Sequence, residues 1–293
     1  MTQTAADDQS PKQKGMVLLV TLAAMAFLVP LIYAGVESQR FHIRQVQQEI
    51  NLEIAHRHAE SMLSMVMLTL ARDSLQNSAT DHLNEPWASP LVLPNNEDGT
   101  TEALIEDTSR RWNLNALKKT DGQINGELRT VLNALFQREE VSGRLLESLL
   151  ERLAVTTTHN NEPLHALEEI LQLPEWTTKP LQTLQPYITV DDECRTGRLN
   201  INTAAIKTLE PLAPNLNWRS VEERRKQTPF AQVADLASAG VTLPLEAVNL
   251  LTVNSTCFVA QIRSQVQTVA GTLTAWLVRN GMQITITKTR WNG

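Results

Sequence analysis

The chain has 293 residues, enough for one or two domains beyond a membrane segment, and 42% are hydrophobic, which supports a packed core and excludes wholesale disorder. Its formal net charge of −6 speaks against non-specific nucleic-acid binding, which depends on Lys and Arg neutralising phosphates. Residues 1–15 are polar, contain Pro11 and read as a disordered leader, and Asp7, Asp8, Lys12 and Lys14 within it cancel.

From Met16 to Val36 there are 21 residues without a charge. At about 1.5 Å per residue they make roughly 30 Å of helix, the thickness of a bilayer's hydrocarbon core. Lys12 and Lys14 stand before this run, and the positive-inside rule places the N-terminus in the cytoplasm. Glu37 and Arg40 mark the far water boundary. The helix that starts at Met16 is predicted to continue to about Leu75. Ile43, Val46, Ile50 and Ile54, then Met62, Val66 and Leu70, recur at three- and four-residue spacings, with Pro30 and Gly35 as the places for a kink.

Residues 76–99 are rich in Asn, Asp and Pro and read as loop, and 103–117 as a strand and its exit. Residues 117–250 are predicted to be mostly helical. Leu128, Val131, Leu132, Leu135 and Phe136 form one apolar face; Leu145, Leu146, Leu149, Leu150 and Leu153 form another. Pro163 suits a first helical turn with Leu167, Ile170 and Leu171 behind it, and Ser220 with Glu223 suits a capping box. The period then changes. Residues 251–262, 268–278 and 282–288 are rich in Val, Ile and Thr, and Asn280-Gly281 signals a type I′ hairpin. The expected fold is α+β: a long transmembrane and amphipathic spine helix packed on a small antiparallel sheet, to which the strand near Ile105 contributes, with a large all-helical insertion.

Three readings fit the N-terminus. A secretory signal peptide would need a small-x-small site, and Ala34-Gly35-Val36 is a poor one. A plain signal anchor fits better. The third starts from Lys14-Gly15 standing directly before Met16, which resembles the class III signal of type IV pilins and type II secretion pseudopilins. That resemblance implies cleavage between Gly15 and Met16 by a prepilin peptidase, N-methylation of Met16 and retention of the apolar helix. Most of these proteins carry glutamate at the fifth mature position; here it is Val20.

That departure narrows the resemblance to the minor pseudopilin K family of general secretion. Asn113, Leu114, Asn115 and Leu117 match its "I-E-D … F-N-L-N-x-L" segment, with Trp112 in the aromatic place. Residues 163–173, Pro186-Tyr187-Ile188-Thr189-Val190 and 197–204 are similar to its later segments. The resemblance implies a leader at 1–15, a spine helix with a transmembrane part at 16–36 and a periplasmic part at 37–75, a pilin-like domain at 76–116 and 251–293, and a helical insertion at 117–250. It implies a single-pass inner-membrane protein with a periplasmic C-terminal domain, which caps and initiates the pseudopilus that exports folded proteins. Its partners would be the other minor pseudopilins, the major pseudopilin, the assembly platform and the prepilin peptidase. A minor pilin of a type IV pilus is the alternative, and a signal-anchored periplasmic enzyme the remote third.

No catalytic, cofactor-binding or metal constellation stands out. His56 and His58 do not share a helix face, and no Walker, G-x-G-x-x-G or G-x-S-x-G motif occurs. Residues 199–209 and 224–236 resemble a helix-hairpin-helix DNA module, but Leu212–Trp218 supplies no glycine hairpin, so no nucleic-acid partner is expected. Relatives in the pseudopilin K family bind calcium through an acidic run in the insertion. The corresponding 145–153 offers only Glu147 and Glu151, too few for a cation that takes six to eight oxygens, so no calcium site is assigned. Asp191-Asp192-Glu193 reads as a solvated loop. Cys194 and Cys257 allow one pairing, and the compartment permits it; a disulfide and two unpaired core thiols both stay open.

Overall fold

The structure is a computed structural model that describes residues 11–76, 79–95, 99–154 and 162–293. The first ten leader residues, Asn77, Asn96 and His159 lie outside the described residues. Compactness divides the chain into Met1–Ile54 and Ala55–Gly293.

Helix α1 (Pro11–Gln76) starts five residues before Met16, so part of the expected disordered leader is helical. Pro11 takes the first helical position, where its missing N–H costs nothing. The helix runs without interruption through Pro30 and Gly35. In the first unit its apolar residues face outward: Met16, Val20, Phe27 and Leu31 are all more than half exposed.

In the second unit, the last turns of α1 bury Ala55, Ala59, Met62, Val66 and Leu70, one stripe at helical spacing. The chain then forms β1 (Leu91–Asn95), β2 (Gly99–Asp107) and β3 (Trp112–Asn113). Helices α2 (Gly126–Arg138), α3 (Gly143–Ala154) and α4 (Thr178–Leu184) follow, then strands β4 (Ile188–Thr189) and β5 (Leu199–Asn200). Next come α5 (Ile206–Leu209), α6 (Trp218–Gln227) and α7 (Leu245–Val248), then β6 (Leu251–Thr252), β7 (Cys257–Val266), β8 (Val269–Asn280) and β9 (Gln283–Asn292).

Five strands form one antiparallel sheet in the order β1-β2-β7-β8-β9. Alternate residues Ala103 and Ile105, Phe258, Ala260 and Ile262, and Leu273, Ala275 and Leu277 turn to the α1 stripe. Ala59, Ala103, Ala260 and Ala275 keep that layer thin, so the larger Met62, Val66 and Leu70 are buried completely, each worth about 1.5–3 kcal/mol. This is the expected spine helix on an antiparallel sheet.

Between β2 and β7 the chain leaves at Asp107 and returns beside it, since Asp107 pairs with Phe258. The excursion has its own core, built from residues between Trp112 and Leu251. It consists of two similar halves. One opens with β3 and closes with β4 in a parallel pair; the other opens with β5 and closes with β6 in another. Each opening strand runs into an N-x-N motif. Asn113 Oδ1 accepts the Asn115 amide and Asn200 Oδ1 the Asn202 amide. Asn115 grips both backbone groups of Leu164 at 2.8 and 2.9 Å, and Asn202 both of Phe230 at 3.0 and 2.9 Å.

Several local expectations change. Pro163 precedes rather than opens a helix, because the following turn is 3₁₀ and begins at Leu167. Ser220 is the third residue of α6 instead of its cap; its hydroxyl donates to the carbonyls of Asn217 and Ala239. The last hairpin turns at Gly281-Met282, since Asn280 pairs with Gln283, and only Gly281 has positive φ; a type I′ turn needs both central residues there. The preceding hairpin has no glycine signal: Val266 pairs with Val269, and Gln267 carries the positive φ of 51°.

Candidate functional site

Two features stand apart from ordinary packing: the exposed apolar part of α1 and a buried polar junction at the root of the insertion. The first is a solvent-facing run with a mean hydropathy of 2.5 in its best window, none of it buried, so α1 is long and apolar enough to cross a membrane. Gly15 and Met16 are consecutive residues of this helix, and Val20, one turn further on, is 63% exposed.

The junction lies where β2, β7 and the C-terminal end of α1 converge. Arg279, near the end of β8, is its centre. Its guanidinium is 10% exposed, pairs with Asp73 at 2.9 Å and with Asp81, and donates to the Ser255 carbonyl at 2.8 Å. It also lies 4.8 Å from the centre of the Phe258 ring. Asp81 accepts the Ser255 amide at 2.6 Å. Asp107, fully buried at the end of β2, accepts from Thr203 at 2.5 Å, Ser255 at 2.6 Å and the Ser109 amide at 2.7 Å. Asn200 donates to Ser255 and to the Asp81 carbonyl, which fastens the second half of the insertion to the same point.

Burial dominates the electrostatics. It raises the Asp81 carboxyl above its ordinary range, with the Arg279 charge opposing, and it raises Asp107 against hydrogen bonds from Ser255 and Thr203. Glu85 is pushed up to about 7 by burial. One of its oxygens accepts the His82 amide and the Trp87 indole N–H, while Oε1 has no hydrogen bond and lies 3.4 Å from His82 Nε2. Burial lowers His82. Asp73, Asp81 and Glu85 together resemble a carboxylate cage, but Arg279 already occupies the charge-compensating position between the two aspartates.

Cys194 and Cys257 are joined by a disulfide, with Cα atoms 6.2 Å apart. It links the turn after β4 to the first residue of β7, next to the junction. Asn113 holds that turn by donating to the carbonyls of Asp191 and Cys194.

The remaining flagged residues serve local structure. His56 packs against Trp291, ring centres 4.6 Å apart and planes tilted by 47°. Asp191 accepts the amides of Glu193 and Cys194, and Asp192 pairs with Arg195. In α3 the five leucines are buried, and Glu147 lies outside, paired with Arg129 at 2.7 Å. That helix does not present the convergent oxygens calcium requires, so its residues do not fit the ion. In the helix-hairpin-helix-like stretch, Arg225 points inward and donates to the carbonyls of Ile201 and Ala204, and Lys226 pairs with Glu222.

Sequence reasoning missed the junction. Arg279 lies 206 residues from Asp73 and 198 from Asp81, and no local period connects them. The one available signal was the isolated arginine in an otherwise Val- and Thr-rich strand.

No protein-family model matches the sequence, and no curated protein does. Among solved structures, a chain of the GspK-GspI-GspJ complex from the type 2 secretion system of enterotoxigenic Escherichia coli is similar, at 21% sequence identity and a TM-score of 0.69. The match covers 85% of this chain and 99% of that one. The last turns of α1 packed on an antiparallel sheet, with a block of helices and two short parallel strand pairs inserted between β2 and β7 in place of an all-helical one, make a pilin-like fold, and the similarity to a subunit of that complex is one of fold.

Proposed function

We propose that this chain is a minor pseudopilin of a bacterial type II secretion system, of the K class, with a structural rather than a catalytic role. The observation that carries the reading is the fold match, which takes in 85% of this chain and 99% of the pseudopilin-complex subunit. In this reading residues 1–15 are a cytoplasmic leader removed after Gly15, Met16 becomes the methylated N-terminus, 16–36 crosses the inner membrane, and the sheet and insertion lie in the periplasm. The partners are two other minor pseudopilins, the major pseudopilin, the assembly platform and the prepilin peptidase.

Val20 supports a place at the filament tip. A carboxylate in a membrane helix costs roughly 2.5–3.5 kcal/mol on insertion scales and is retained where a partner compensates it. In pilin-like filaments the fifth-position glutamate pairs with the N-terminal amine of the subunit above. A first subunit has none above it, so Val20 is sufficient. The insertion supports the same place, because so large a block suits a filament end better than a packed shaft. The direct test is co-purification of the full chain with two other minor pseudopilins from detergent. Absence of any such complex, with a folded chain, counts against the reading. Gly15→Leu is expected to leave an uncut precursor, and a mature chain beginning at Met16 in that variant would overturn the processing site. Val20→Glu is expected to leave most secretion intact, and immunogold label spaced along the shaft would overturn the tip placement.

A further inference from the structure

The two edges of the five-stranded sheet differ. β1 is five residues long, is preceded by Pro90 and contains Pro94, which has no N–H to offer a neighbouring strand. β9 is ten residues long, and the chain has no proline after Pro244. Among the described residues, β9 pairs only with β8, so its outer row of N–H and C=O groups faces solvent. Thr285 to Arg290 are exposed on both faces. The strand is held by its two ends, where Ile284 and Trp291 pack against the sheet core. Trp291 lies on Gly271, where an added Cβ would be 2.2 Å from its ring.

The charge carried by the strand itself is of one sign. Residues 247–293 contain no Asp or Glu, although the chain as a whole is acidic. On β9 the cations are Lys288 and Arg290, and both are held over the Trp276 ring, at 5.1 and 5.8 Å. They are therefore positioned before any partner arrives. A register irregularity at Trp276/Leu277, opposite Ile286–Lys288, bends the strand. Lysines and bulges on an edge discourage indiscriminate pairing, and a second β9 would bring like charges together. A strand bearing carboxylates opposite Lys288 and Arg290, and an uncharged residue beside Asp191–Glu193, would meet no such repulsion. Beside Thr287 a cavity of about 210 Å³ opens toward Leu164 and Val190, with Asp191–Glu193 on its rim, a seat for an uncharged side chain.

We propose that β9 is a strand-addition site whose occupant is an extended segment of a partner protein with acidic side chains at alternate positions, paired through its backbone and selected by Lys288 and Arg290. The inference goes beyond the secretion reading and does not need it. The test uses the full chain in detergent and synthetic peptides of about nine residues that alternate glutamate with threonine, or lysine with threonine. Hydrogen exchange should show the glutamate peptide protecting amides within 283–292, while the lysine peptide does not. Replacing both Lys288 and Arg290 by Glu should weaken the glutamate peptide by roughly tenfold or more, the worth of two cross-strand charge pairs, and favour the lysine peptide instead. The glutamate peptide with every amide N-methylated keeps its charge but cannot pair as a strand, and should not protect. Protection absent from 283–292, equal binding of both charge types, or full binding of the N-methylated peptide would each overturn the proposal. Circular dichroism matching the parent chain confirms that the double variant is folded.

Discussion

Replacing Arg279 with Met removes the one guanidinium of the buried junction while keeping most of the volume of its aliphatic stem. Asp73 and Asp81, 4% and 2% exposed, then lose their shared cation, and the Ser255 carbonyl loses a donor. Breaking a buried ion pair from one side costs about 3–5 kcal/mol, because the remaining charge stays desolvated. The loss should depend on pH in a definite direction. Asp81 is already raised by burial, and the Arg279 charge opposes that rise, so its removal raises Asp81 further. A carboxyl whose folded pKa exceeds its unfolded value binds more protons in the folded state. Its stabilising contribution is complete below the unfolded value, near 4, and is lost as pH rises through the folded one. The variant should therefore be closest to the parent at pH 5 and fall further behind at pH 8. Urea unfolding of the full chain in detergent, followed by near-ultraviolet circular dichroism, measures both. A loss under about 1 kcal/mol at pH 7, or an equal loss at both pH values, would refute the account of the junction. Arg279→Lys keeps the charge but cannot span Asp73, Asp81 and Ser255 together, and should lie between the two.

Glu85, at about 7 against an ordinary 4.5, contributes stability that is complete below 4.5 and lost by about pH 7; Glu85→Gln should flatten the fall in urea midpoint between pH 5 and 8. Reducing Cys194–Cys257, separated by 63 residues, should cost about 4 kcal/mol in the chain-entropy model, and alkylation of unreduced, denatured protein should label neither thiol. Gly271→Ala places a methyl on the Trp291 ring and should cost about 1–3 kcal/mol while loosening β9, read as faster hydrogen exchange in 283–292 with β2 and β7 unchanged.

The parts legible in the sequence were those written in a local period. The uncharged run after Gly15 gave the membrane-length helix, the Met62–Val66–Leu70 spacing gave its sheet-facing stripe, and the Val- and Thr-rich C-terminus gave β7 to β9. The turns were read less well. Gln267 adopts positive φ without a glycine because the strands on either side impose the turn. The 3₁₀ segment after Ala166 follows from packing of the insertion core, which Pro163 does not reveal. The two asparagine motifs were visible as motifs, but their common role as clamps on Leu164 and Phe230 depends on partners 49 and 28 residues away. The junction combines Asp73, Asp81, Asp107, Asn200, Ser255 and Arg279 from six separate stretches, and only folding brings them together.

The insertion's entry and exit at one end of the β2–β7 ladder have a mechanical meaning. An antiparallel pair pulled apart from one end opens like a zipper, with its hydrogen bonds loaded one after another rather than all at once. A force drawing the inserted block away from the sheet would load the Asp107–Phe258 end first. The hydroxyl donors on Asp107, the Arg279 cluster and the covalent bridge from Cys257 to Cys194 all sit at that end. Buried charge-assisted hydrogen bonds and a covalent bridge thus stand at the end of the ladder where a pull on the insertion would otherwise begin to unzip the sheet.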